Sequence, residues 1–115
     1  LQKIDYANFT RIIKLAQSNE GILPNHIDHG IGTFYIWQGV LFHNLTRDKI
    51  EENWKLILPY IEKTYFEGKI GDNLFRLYDQ LLNRYLGYQY YGFETNAPIK
   101  DEEHLEERKL KYGFN

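Results

Sequence analysis

Four histidines stand out as candidate chemistry. His26 and His29 form an H-x-x-H pair with Asp28 between them. Imidazole and carboxylate suit zinc and related metals, and His43 could add a third ligand. A pair of this kind without a second pair at set spacing is the weaker reading, and solvent-facing histidines on a loop are the plainer one. No metal site is assigned. His43 closes a strongly apolar segment, where it could serve as a general base or acid. It could equally be a half-buried ring bonded to a carbonyl near a helix end.

Two further polar residues lie against apolar stripes. Gln38 falls among Phe34, Leu41 and Phe42 on a helical wheel. A buried carboxamide needs partners for its donors and its acceptor, so a contact across the core to Asp79 or Gln89 is expected. Asp79 sits at the edge of a stripe beside Phe75 and Leu82. There a carboxylate either pairs or shifts its pKa upward. The window Tyr85 to Phe93 holds five aromatic residues, two glycines and Gln89. It reads either as a loop whose rings fill space between helices or as a ligand cleft. In a cleft, Tyr88 and Tyr91 would stack on a planar or sugar-like group and Gln89 would orient it.

These residues need elements to position them. Phe9, Ile12, Ile13 and Ala16 make one helical stripe, with Asp5 as the expected N-cap and Gly21 and Pro24 as stops. Gly30 to Asn44 is apolar nearly all round and is assigned to a helix rather than to short strands. Thr46 or Asp48 is expected to cap the next helix, which carries Ile50, Trp54, Ile57, Leu58, Ile61 and Tyr65. Pro59 inside it predicts a kink or break near Leu58, and Gly68 a left-handed C′ stop. Asp72 opens a fourth helix with Leu74, Leu77, Tyr78, Leu81, Leu82 and Tyr85 on one face, ended by Gly87. Tyr88 to Ile99 is a turn-rich loop. Asp101 opens a last helix to Tyr112, acidic at its start and basic at its end as the helix dipole favours. The expectation is an all-α fold of about five helices in a single domain over residues 1–115, with an aromatic loop before the last helix.

Composition bounds the rest. The chain has 115 residues, 14 Lys+Arg, 16 Asp+Glu and a net charge of −2, a poor footprint for nucleic acid. With no cysteine there is no disulfide framework, thiolate metal site or cysteine nucleophile. The aromatic content of 17% fits core packing and an A+T-biased coding sequence before it asks for a ligand surface. No P-loop, dinucleotide fingerprint or H-E-x-x-H is present, and Ser18, the lone serine, lacks a nucleophile elbow. No cofactor is implied. The stretch from Ile31 to Phe42 is too short and too interrupted to span a bilayer, so no membrane insertion is expected. Starting at Leu1 without any methionine, the chain reads as the processed or ordered part of something longer. Cytoplasm and periplasm both fit.

In order along the chain, Asp5-Tyr6-Ala7-Asn8, Gly21, Pro24, His43, Leu58-Pro59, Gly68, Asp79, Gly87-Tyr88-Gln89-Tyr90-Tyr91-Gly92 and Pro98-Ile99 can be set against known patterns. Asp101, Glu107-Arg108 and Gly113 close the series. Together these resemble an uncharacterised bacterial helical family known only as a domain of unknown function, with G-x-Q-x-Y-G its most specific piece. The family typically shows H-x-D, D-R and Y-G-T-Q. Here Asn44-Leu45 follows His43, Gln80 follows Asp79, and Phe93-Glu94 follows Gly92. The resemblance implies a helical fold and a shared cluster of His43, Asp79, Gln89 and Tyr91, without an established reaction. The function expected is a small binding or accessory module in a protein assembly. The alternative is a hydrolase or transferase with His43 as base, Asp79 orienting it, and Gln89 and Tyr91 holding substrate.

Overall fold

The amphipathic stripes read from the sequence become helices in the computed structural model. It describes the backbone of residues 2–30 and 32–114, and the side chains of residues 4–30 and 38–114. The order is α1 Gln2–Ser18, α2 His26–His29, α3 Gly32–Asn44, α4 Ile50–Phe66, α5 Asn73–Leu86 and α6 Leu105–Tyr112, with a 3-10 turn at Glu102–His104 before α6. The fold is all-α; among the described residues the only extended pairing is a single bridge between Gln89 and Ile99. The backbone divides into two compact units, Leu1–Asp72 and Asn73–Asn115.

In the first unit, α1 packs on α3 and α4. Phe9, Ile12 and Ala16 are buried on α1, Leu41 on α3, and Ile50, Trp54, Ile57 and Ile61 on α4, with Leu23 and Leu45 closing the connections. Burying side chains of this kind stabilises a fold by about 1.5–3 kcal/mol each. The segment from Gly32 to Asn44 is helical, as expected. The side chains of Phe34, Tyr35, Ile36 and Trp37 lie outside the described residues.

Several local expectations are corrected. Asp5 does not cap α1, because the helix starts at Gln2 and Asp5 lies in its first turns. Neither Thr46 nor Asp48 occupies the N-cap of α4, which falls to Lys49; the Thr46 carbonyl instead accepts the Ile50 N–H at 2.7 Å. Pro59 does not break α4, which runs through it without interruption. Lys55 and Pro59 are both exposed, so the carbonyl that lacks its donor lies on the wet side of the helix. The histidine pair sits on a short helix rather than a loop. Asn25 caps it: its Oδ1 accepts the Asp28 N–H while its Nδ2 donates to Asp28 Oδ2. Gly68 is left-handed as expected (φ +75°), with Lys69 N–H on the Thr64 carbonyl and Gly68 N–H on that of Tyr65.

In the second unit, α5 starts directly after Asp72 and ends before Gly87, whose N–H bonds the Leu82 and Asn83 carbonyls. It buries Leu74, Phe75, Tyr78, Asp79, Leu81 and Leu82. Residues 87–100 form the expected turn-rich loop. The last helix is shorter than the span from Glu102 suggests, because its first three residues wind as a 3-10 turn after a left-handed Asp101.

Candidate functional site

Three of the four residues singled out as a cluster, Asp79, Gln89 and Tyr91, come together within the second unit, Gln89 and Tyr91 on one folded loop and Asp79 on the helix that holds it. Asp79, buried on α5, aims its carboxylate at the loop backbone. Oδ1 accepts from the N–H groups of Tyr90 (2.8 Å) and Tyr91 (2.9 Å), and Oδ2 from Phe93 (3.0 Å) and, more weakly, from Tyr91 (3.2 Å). Burial raises its pKa; the three amides pull the other way without cancelling the effect. Gln89 closes the same loop. Its Nε2 donates to the carbonyls of Ala97 and Glu94, and its Oε1 accepts the Glu94 N–H at 2.8 Å. Within their own unit, Gln89 is bonded to its own loop and Asp79 to the loop amides. Gln38 is half-buried.

Tyr91 is 1% exposed and meets Phe75 edge-on at 5.2 Å, within a ring cluster that includes Tyr112 and Phe114. Tyr88 is half-buried, with the Lys100 ammonium 5.3 Å from its ring. Gly92 is left-handed (φ +87°), a conformation that side-chain-bearing residues rarely adopt, and a Cβ there would touch Leu105 and Lys109 at ordinary contact distance. Arg108 clasps the loop from α6: Nε donates to the Tyr90 carbonyl, Nη2 to that of Lys100, and Nη1 to that of Asp101. Its guanidinium lies 4.0 Å from the Tyr90 ring centre. The aromatic window thus folds inward and packs.

His43 belongs to the first unit. It is exposed at the end of α3 and sets its ring edge-on to Phe42 at 5.8 Å. Among the described residues of its own unit nothing hydrogen-bonds its nitrogens. It borders an open cleft of about 430 Å³. The cleft is lined by Asp5 and Tyr6 from α1, His43 and Asn44 from α3, Thr46, Asp48 and Lys49 from the connection, and Glu52 and Asn53 from α4. The cleft carries three carboxylates against one lysine, and that lysine bonds Glu52 at 3.2 Å.

Two cleft residues escaped the sequence reading. Asn44 and Asn53 are 5% and 4% exposed. The Asn44 Nδ2 donates to the carbonyls of Asp5 (2.9 Å) and Val40 (2.8 Å), and the Asn53 Nδ2 to the carbonyl of Asn44 (2.8 Å). These bonds tie α1, α3 and α4 together at the base of the cleft. They also leave both Oδ1 atoms without a donor among the described residues. A buried acceptor left unmet costs about 1–3 kcal/mol, so each favours an N–H or O–H arriving through the cleft. Asn53 gave one readable signal: it lies on the apolar face of α4 between Ile50 and Trp54, where a polar residue needs a reason.

His26 and His29 are both exposed, and His29 Nδ1 sits 3.3 Å from the Asn25 carbonyl. Asp28 between them pairs with Lys69 at 2.7 Å, which lowers its pKa together with the Asn25 bond. Among the described residues no three His, Asp or Glu side chains gather closely enough to hold a metal. No helix of the described chain is long and apolar enough to cross a membrane.

Comparison with protein-family models, curated proteins and solved structures returns no match.

Proposed function

We propose that the chain is a small binding or accessory module in a protein assembly, and that a partner seats in the cleft of the first unit. The observation that carries this reading is the cleft itself: an open, polar recess of about 430 Å³ lined by two buried asparagines whose Oδ1 atoms meet no donor among the described residues. Sites that bind are concave, with a few polar groups converging on the occupant. The partner is taken to be protein, since a net charge of −2 offers little pull on phosphate.

The alternative enzyme, with His43 as base and Asp79 to orient it, has less behind it. Both Asp79 oxygens are spent on backbone amides, and Gln89 is spent on its own loop. A general base works with a group that fixes its tautomer, and His43 has none among the described residues of its unit.

The test is gentle purification of the full-length protein from its native source, followed by repetition with Asp48→Lys. A stable stoichiometric partner that the variant no longer retains supports the reading. A clean monomer, or a partner held equally by the variant, overturns it.

A further inference from the structure

Resting on that reading of the cleft, we propose that its occupant is the guanidinium of an arginine carried on a segment of the partner protein. Buried acceptors give the first reason. Asn44 and Asn53 are among the residues lining the recess, each is at least 95% buried, and the Oδ1 of each meets no donor among the described residues. An occupant that reaches them has to bring N–H or O–H donors.

Charge gives the second. Asp5 and Asp48 have no ion-pair partner among the described residues, whereas Glu52 shares its charge with Lys49. Among the described residues the cleft therefore presents two carboxylates without an ion pair to an incoming cation.

Shape separates a guanidinium from other cations. The carboxylates do not converge as ligands of a bare metal ion would. They flank a recess roomy enough for a long side chain, with the half-exposed ring of Tyr6 on one wall. Guanidinium carries five donors in a planar fork and stacks on aromatic faces. Ammonium is a compact point charge with three donors and no plane to stack. Two carboxamides with unmet oxygens, two carboxylates and a tyrosine among the lining residues offer the acceptors and the ring that such a group uses.

The test is an NMR titration of the isotope-labelled full chain with acetyl-Gly-Arg-Gly-amide. Controls are its citrulline counterpart, which keeps the shape but loses the charge, a lysine counterpart, free L-arginine and calcium chloride. The arginine peptide is expected to shift the amides of Tyr6, Asn44, Asp48 and Asn53. It should bind about tenfold or more tightly than the citrulline peptide, with lysine between them. Asp48→Asn, whose side chain is exposed, should weaken arginine binding several-fold and leave the melting temperature unchanged. Equal binding of the citrulline peptide, shifts spread over the surface, no shift, or saturation of the same amides by calcium overturns the proposal. Free arginine binding as tightly as the peptide overturns the protein-segment part of it. A native partner that survives Asp5→Asn/Asp48→Asn removes the guanidinium and leaves the binding module standing. Specific peptide binding with no native partner does the reverse.

Discussion

The Asp79 carboxylate grips the Tyr91 N–H with both oxygens, at 2.9 and 3.2 Å, while the same two oxygens also hold Tyr90 and Phe93. One side chain on α5 thus replaces the backbone partners that a strand or helix would have given this stretch of loop. Asn at position 79 keeps one acceptor but turns an N–H₂ toward amides that are themselves donors. Asp79→Asn should cost about 2 kcal/mol, and Asp79→Ala about 3 kcal/mol or more, measured as urea unfolding free energies.

The pH dependence of that carboxylate has a definite sign. Its folded pKa is raised above the ordinary value of 3.8 by burial, so the folded chain binds the proton more readily than the unfolded chain. Its contribution is full below the unfolded pKa and is lost as pH rises through the folded one. The stability of the wild type relative to Asp79→Asn should therefore increase as pH falls from about 7 to about 4. Paired urea titrations across that range check it; an opposite slope would mean that the amides outweigh burial.

Arg108 is the second clamp on the loop, and lysine cannot replace it. The guanidinium reaches the Tyr90, Lys100 and Asp101 carbonyls at once while stacking on Tyr90. Arg108→Lys retains the charge but not the fork, and should lose about 2 kcal/mol. Limited proteolysis should then cut within residues 88–100 well before the rest of the chain.

Pro59 is a position where the chain can be made more stable. Because α4 is already continuous there, alanine restores a donor to the Lys55 carbonyl without asking the helix to change course. Pro59→Ala should raise stability by about 1–2 kcal/mol, read as a higher melting temperature and unchanged circular dichroism.

The helices were legible wherever an apolar stripe ran for several turns: the faces built on Phe9, on Trp54 and on Leu74 all reappear in the fold. Short-range chemistry misled at element ends. Asp5 has the look of a cap, yet the helix begins at Gln2 and leaves Asp5 inside its first turns. The short α2 carried its own signal, Asn25 three residues before Asp28, hidden behind the more conspicuous histidines. The inward packing of the aromatic window was one of its two open readings. The cleft was not legible, because Asn44, Asn53 and Asp5 meet only after three helices pack, and no spacing along the chain records that meeting. Asn53 alone gave a hint, as a carboxamide on an apolar face.

The Asp79 clamp also bears on how the second unit forms. Its bonds join residues 11 to 14 apart, and those of Arg108 join residues 7 to 18 apart. No pin on this loop requires a distant piece of chain to arrive first. Loops of that length close in well under a microsecond, so assembly here is set by the formation of α5 and α6 rather than by a long search. The cost of such local closure is shared opening. When α5 unwinds at Asp79, the amides of Tyr90, Tyr91 and Phe93 lose their acceptor together, and they should exchange their hydrogens as one cooperative block.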